Sequence, residues 1–160
     1  MKVRWGSYSE GNAATALLVI RLAVGLPLFL LGLGKLTGFA GPGLRFYADQ
    51  LAALGIASAA PLAAAAALVQ TLAGLLLMAG FLTSEAAAAA LLVALAGLFR
   101  NYLMAGLPGT LEGWVELVVA ARYHLALMGA LIALLIMGPG SASLDASRLA
   151  QAYRRTSRKK

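Results

Sequence analysis

Among the polar side chains that interrupt the apolar stretches of this sequence, five are its candidates for chemistry. They are Arg21, Lys35, Gln70, Arg122 and His124. Ionisable groups are costly in hydrocarbon and usually mark a function there. Arg21 and Lys35 are fourteen residues apart, so at about 100° per residue they lie within roughly 40° of each other on one helix face. We expect the five to line a polar ligand-binding pocket, with Lys35 at its mouth and Arg21 extending it inward.

Each of these residues also has a simpler interpretation. Lys35 and Arg122 could extend to the lipid headgroups, and Gln70 could join two helices by a hydrogen bond. His124 could be a hydrogen-bonded interior histidine. Arg21 lies too deep to reach the headgroups easily, which favours a role inside the protein.

The composition limits the reactions that these residues could carry out. The chain has no cysteine and one histidine, so it cannot by itself supply a thiolate nucleophile, an iron–sulfur cluster or paired haem ligands. No metal site is predicted. There is also no Ser/His/Asp set and no pair of carboxylates within an apolar stretch. Enzymatic activity stays open, and any redox cofactor, such as a quinone, would have to be bound rather than built by this chain.

The elements that must position these residues are transmembrane helices. Of the 160 residues, 61% are hydrophobic and 12% are charged, against roughly 45–50% and about 25% in soluble domains. Each apolar stretch is close to the ~20 residues that cross a bilayer as a helix. The predicted fold is an all-α bundle of four transmembrane helices in one domain, residues 1–146, followed by a basic tail, 147–160. The four predicted spans are 13–36, 61–81, 86–104 and 115–137.

The charge distribution predicts the topology. The net charge is +7, and most of it lies at the two ends of the chain. Basic segments stay on the cytoplasmic side, so both termini are expected there. Nucleic-acid binding is not expected, because no basic face with stacking aromatics is present.

Three segments outside the spans are expected to contact the membrane surface. Residues 38–60 predict a short amphipathic helix on the periplasmic side. Trp114 has the position of an interfacial anchor. Residues 143–160 predict either a short basic helix or a disordered tail on anionic headgroups. The cations expected to hold the tail there are Arg154, Arg155, Lys159 and Lys160.

Several short patterns, taken in order, point to a known family. They are LVIRLAVG (18–25), GLGKL (32–36), VQTLAG (69–74), GFLT (80–83) and GPGSASLD (138–145). In this order the chain resembles the DoxX/DoxD-like family of small bacterial and archaeal membrane proteins, over roughly residues 16–146. Two positions depart from the family pattern: Gln70 replaces a common glutamate, and Leu31 replaces a frequent histidine. Both changes remove titratable groups and weaken any expectation of proton coupling.

The resemblance implies a four-helix protein of the cytoplasmic membrane. Some members look like the small subunit of a thiosulfate:quinone oxidoreductase, and others are associated with sulfur or oxidative-stress enzymes. The expected function is therefore that of a subunit in a redox-associated complex, binding a quinone or a small anion such as thiosulfate. The alternatives are a non-catalytic accessory subunit of a larger assembly and a small-solute transporter. Expected partners are the bilayer and either other membrane subunits or further copies of this chain.

Overall fold

The computed structural model describes residues 6–39, 41–103 and 106–157, and this part of the chain contains helices and no β-strand. A π-helical turn, Phe99–Leu103, continues the fourth helix. The α-helices are α1 (Gly6–Thr37), α2 (Leu44–Ala53), α3 (Ala59–Ala79), α4 (Thr83–Leu98), α5 (Leu111–Met137) and α6 (Leu144–Ser157).

Four of these helical segments are long and apolar enough to cross a membrane. Their outward faces carry large apolar side chains, such as Leu92 and Ile136, which are 69% and 79% exposed. Such surfaces are compatible with lipid and not with water. The predicted all-α fold with four spans is therefore confirmed, and the protein is a multi-pass membrane protein. The four segments are Gly11–Thr37, Ala59–Ala79, Thr83–Tyr102 and Leu111–Met137.

Local sequence signals account for where the long helices begin and end. Helix α3 carries Pro61 in its first turn, where a missing N–H costs nothing. It ends at Gly80, whose left-handed backbone (φ +65°) is the usual helix terminator. Helix α5 begins after Thr110, whose hydroxyl accepts a hydrogen bond from the Gly113 N–H at 3.2 Å. It stops at Gly138, just before a proline.

The bundle is organised around α3. Helix α1 packs mainly on α3, α3 packs on α4, and α4 packs on α5, so that α1 and α5 meet only sparsely. Leucines from three helices fill the shared core: Leu28, Leu77 and Leu131 are at most 1% exposed. We call the end of the bundle that carries α2 the α2 end, and the end that carries the α3–α4 link and α6 the α6 end.

The closest helix contact is between α1 and α3. A Cβ placed on Gly25 would lie 2.7 Å from the carbonyl oxygen of Gly74, and one on Gly32 would lie 2.9 Å from the Cα of Thr71. Side chains cannot approach backbone this closely, so only glycine fits at these positions. Small residues at helix interfaces let membrane helices pack in this way.

The segments next to the spans also take up structure. The short helix expected within 38–60 is present as α2, and Trp114 is half-exposed in the first turn of α5, at the α2 end. The tail is helical as far as Ser157, which selects the helix over the disordered alternative. The side chains of Arg154 and Arg155, and all of Lys159 and Lys160, lie outside the described part of the chain. Their role as lipid anchors stays a prediction.

Replacing Gly32 with leucine should separate α1 from α3. The new side chain would meet the backbone of Thr71, and overpacking of this kind costs up to about 3 kcal/mol. Thermal unfolding in detergent, followed by circular dichroism, should show a clear loss of stability. Gly129→Leu is the matched control, since a Cβ on Gly129 meets nothing within 4 Å. Equal stability of the two variants would contradict the close contact.

Candidate functional site

Two of the predicted pocket residues form a direct hydrogen bond. The Nζ atom of Lys35, near the end of α1, donates to the Oε1 atom of Gln70 on α3 at 2.7 Å. Gln70 is 6% exposed, and Lys35 is half-buried. The glycine contact at Gly32 holds the two helices close enough for this bond to form.

Tyr47 and Arg100 lie close to Lys35. The Lys35 Nζ atom lies 4.8 Å from the centre of the Tyr47 ring, and the Arg100 Cζ atom lies 5.7 Å from it. Tyr47 belongs to α2, whereas Arg100 belongs to the π-helical turn after α4. Such turns are frequent at functional sites. The aromatic face attracts both cations, so α2 covers a site built from α1, α3 and α4.

His124 adds an imidazole to this site. Its ring packs edge-on against Tyr102 and Tyr123, with centroid distances of 5.5 and 5.6 Å. A Cβ on Gly97 of α4 would lie 3.1 Å from the His124 Nε2 atom, so the glycine makes room for the ring. The Nδ1 atom is buried and has no hydrogen-bond partner in the described part of the chain. A buried polar atom without a partner is costly, which suits a ligand contact.

Lys35, Tyr47, Gln70, Arg100 and His124 together form what we call the cationic cluster. The charges that act on His124 come from Arg100 and Lys35, and the charge that acts on Lys35 comes from Arg100. All are positive, and within the described residues no carboxylate is within ion-pair distance of either cation. Like charges in a poorly solvated site repel each other unless an opposite charge or an electron-rich oxygen joins them.

Arg122 does not join the cationic cluster. Its side chain is exposed on α5, and its Nη1 atom donates to the carbonyl of Val119 in the same helix at 2.7 Å. That position agrees with the simpler interpretation, in which the guanidinium extends toward the headgroups.

Arg21 lies toward the opposite end of the bundle. It is 1% exposed, and its Nη2 atom donates to the carbonyl oxygen of Ala142. A Cβ on Gly80 would collide with the guanidinium, so this glycine leaves the space that Arg21 fills. The structure therefore separates Arg21 from Lys35, although both lie on α1.

Asp145 completes a second polar site around Arg21. Its carboxylate accepts hydrogen bonds from the backbone N–H groups of Leu82 and Thr83 and from the Thr83 hydroxyl, each at 3.0 Å. Its own N–H donates to the Gly80 carbonyl, also at 3.0 Å. We call Arg21, Gly80, Thr83, Ala142 and Asp145 the latch, because these residues tie the C-terminal segment to the α3–α4 link.

The latch caps a helix that lacks a cap of its own. The residue before α4 is Leu82, whose left-handed backbone (φ +48°) is unusual for a residue with a side chain. No nearby side chain caps α4, and Asp145 supplies the cap from a distant part of the chain. Burial raises the pKa of Asp145, but the hydrogen bonds from Thr83 and Leu82 and the charge of Arg148 outweigh it, so the pKa lies below its ordinary value.

An apolar crevice of about 180 Å³ lies between α1 and α5. It is lined by Ala23, Val24, Pro27, Tyr123, Ala126 and Leu127. The Tyr123 ring also contacts His124, so one side chain joins the crevice to the cationic cluster.

Replacing Asp145 with asparagine should weaken the latch. The stabilisation by a carboxylate with a lowered pKa is present above its unfolded pKa and is lost as the pH falls through the folded value. At neutral pH the variant should lose about 1 kcal/mol, because the amide has one acceptor oxygen in place of two, so the N–H of Leu82 or that of Thr83 loses its partner. Stability of the parent chain should fall in acid below about pH 4, and that fall should be smaller in the variant.

The matched control is Glu85→Gln, which removes the same charge from an exposed position in the first turn of α4. The stability of the parent chain and of the two variants is measured by unfolding in detergent at several pH values. Equal losses in the two variants would show that net charge, and not the latch, sets the effect.

The comparison with known families gives one match. The family model DoxX matches residues 16–100, which is 85 of the 160 residues and so more than half of the chain. Neither the curated proteins nor the solved structures contain a significant match to it.

Proposed function

The chain belongs to the DoxX family, and from that premise we propose that it is a membrane subunit that binds a quinone at its cationic cluster. The observation that carries the proposal is the meeting of Lys35 and Arg100 at the Tyr47 ring without a carboxylate beside them in the described residues. A ligand oxygen would supply the missing electron density.

The donors of the cationic cluster are only partly used. One N–H of Lys35 binds Gln70, and the Nε–H of Arg100 binds Asn101 at 2.8 Å. An ammonium group has three N–H donors and a guanidinium group five, so both keep donors for a ligand. Charge-assisted hydrogen bonds of this kind are roughly twice as strong as neutral ones, and a quinone carbonyl becomes a better acceptor as it is reduced.

The crevice favours a quinone over a small inorganic anion. Thiosulfate could use the same donors, but it has no apolar part that would need the surface formed by Pro27 and Leu127. A quinone has a polar ring and an apolar tail, which match the cationic cluster and the crevice that Tyr123 joins. Ligand sites generally combine an apolar lining with a few placed polar groups.

Electron transfer would require a partner. With no cysteine and a single histidine, the chain cannot by itself supply an iron–sulfur cluster or a pair of axial histidines for a haem. In this proposal the chain binds the quinone and stabilises negative charge on its oxygens, while a second subunit supplies the electrons. The transporter alternative gains no support from the site.

The orientation in the membrane is part of the proposal. The basic C-terminal segment belongs to the α6 end, and the positive-inside rule assigns that end to the cytoplasm. The cationic cluster, at the α2 end, then faces the periplasmic half of the bilayer. A quinone would reach it from within the lipid.

Removing either cation of the cluster should weaken quinone binding. In nanodiscs containing the full chain, Lys35→Gln and Arg100→Gln should each raise the Kd of a short-chain quinone about tenfold, the equivalent of 1.4 kcal/mol. Quenching of the intrinsic tyrosine and tryptophan fluorescence measures the binding. Arg122→Gln is the matched control, because it removes an exposed cation outside the cluster. Failure of the parent chain to bind, or equal weakening in all three variants, would overturn the proposal.

A carboxylate introduced into the cationic cluster should distinguish quinone binding from thiosulfate binding. Gln70→Glu would place a negative charge 2.7 Å from the Lys35 Nζ atom. That charge should repel thiosulfate strongly and a neutral quinone much less. Competition between the two ligands in the same nanodiscs measures the difference. If thiosulfate binds the parent chain and the quinone does not, the ligand is the small anion.

A further inference from the structure

We infer that α6 is an interfacial helix that binds anionic phospholipid headgroups, with Leu149 and Tyr153 turned toward the acyl chains. The inference rests on the position of α6, a basic helix whose first turn is bonded to residues where two membrane spans end. The inference is independent of ligand binding at the cationic cluster.

The latch places the start of α6 at the edge of the hydrocarbon. Asp145 bonds to Gly80, Leu82 and Thr83. Gly80 and Leu82 belong to the link between the span Ala59–Ala79 and the span Thr83–Tyr102, and Thr83 is the first residue of the second span. The first turn of α6 therefore lies at the depth where two spans end.

A second contact, together with the latch, fixes the rotation of α6 about its own axis. The Arg148 guanidinium lies 4.4 Å from the centre of the Phe81 ring, one turn after Asp145. Asp145 and Arg148 therefore both face the link. Because α6 is held at these two positions, it cannot rotate about its axis, and the direction in which its apolar residues face is fixed.

Four of the apolar residues of α6 lie on one flank of the helix, whereas Leu144, at its first position and 51% exposed, lies on the other side. Leu149 and Tyr153 are 72% and 78% exposed, and their four-residue spacing places them on the same face. With Ala146 and Ala150 they cover an arc of about 100° at the helical periodicity. An apolar arc on a basic helix is the pattern of helices that lie in the plane of a membrane surface.

The charge of the segment matches an anionic surface. From Arg148 to Lys160 the sequence has six lysines and arginines and no aspartate or glutamate. Clusters of this size next to a membrane span bind acidic lipids. Anionic phospholipid is therefore a better match than an acidic protein, because the lipid also accommodates the exposed Leu149.

Because the chain has no cysteine, a spin label reacts only with a cysteine introduced on α6, and its depth in the membrane can then be measured. Single cysteines replace Leu149 or Tyr153 on the apolar arc, and Ser147 or Gln151, both exposed, on the opposite side. Each full-length variant is spin-labelled and placed in nanodiscs of phosphatidylcholine, with or without phosphatidylglycerol. Power saturation then compares access to oxygen, which dissolves in lipid, with access to a water-soluble nickel complex.

Labels at 149 and 153 should be several-fold more accessible to oxygen, relative to nickel, than labels at 147 and 151. Phosphatidylglycerol should increase that contrast, and high salt should reduce it. Equal access of nickel to all four labels would show that α6 projects into water and would overturn the inference. Protection of 149 and 153 from both reagents would overturn it in favour of contact with protein.

The double variant Arg154→Gln, Arg155→Gln tests the part played by charge. With the label at 149, it should lose the response to phosphatidylglycerol and keep the value measured in phosphatidylcholine alone. An unchanged response would overturn the role assigned to the basic residues. Circular dichroism of each labelled chain verifies that the bundle is intact.

Discussion

The close contact between α1 and α3 is the constraint on which both polar sites depend. Glycines at this contact bring the two backbones so near that a Cβ would collide with the facing chain. Lys35 reaches Gln70 because of this contact. At the other end of the same pair of helices, Arg21 fills the space left by Gly80. One helix pair therefore positions a cation near each end of the bundle.

The two cations of α1 have different electrostatic surroundings. Arg21 donates to the Ala142 carbonyl and feels the negative charge of Asp145, but its buried Nε and Nη1 atoms have no hydrogen-bond partner within the described residues. Lys35 has Gln70 and an aromatic ring beside it, and its charged neighbour is another cation, Arg100. Arg21 therefore has a carboxylate in its surroundings, whereas Lys35 and Arg100 have none within ion-pair distance among the described residues, which suits them to an incoming ligand oxygen.

Local properties of the sequence predict the spans, because hydropathy over about 20 residues decides whether a helix crosses a bilayer. Lys35 and Gln70 were both expected to line one pocket, and the structure joins them by a hydrogen bond. The contact between Arg21 and Ala142 was not predictable, because it joins residues 121 positions apart through a backbone carbonyl that any residue could offer. Helical periodicity placed Arg21 and Lys35 on one face, but it could not show that their side chains serve opposite ends.

Among the residues that the sequence analysis missed, Arg100 and Asp145 were missed for different reasons. Arg100 lies inside the third predicted span, so the rule that selected Arg21 also applies to it. Asp145 lies outside the spans and within the pattern GPGSASLD, and its role became visible only when the fold brought α6 to the α3–α4 link. Arg122 met the same criterion as Lys35, yet its position on the α5 surface depends on packing that periodicity does not specify.

Photolabelling is the most direct measurement of where a ligand binds. A quinone carrying an azido group on its ring is irradiated with the full chain in nanodiscs, and the labelled peptides are mapped by mass spectrometry. Binding at the cationic cluster predicts labels on peptides that contain Lys35, Tyr47 or Arg100, and excess unlabelled quinone should suppress them. Labels concentrated near Arg21 and Asp145, or spread over the lipid-facing surface without suppression, would contradict the account.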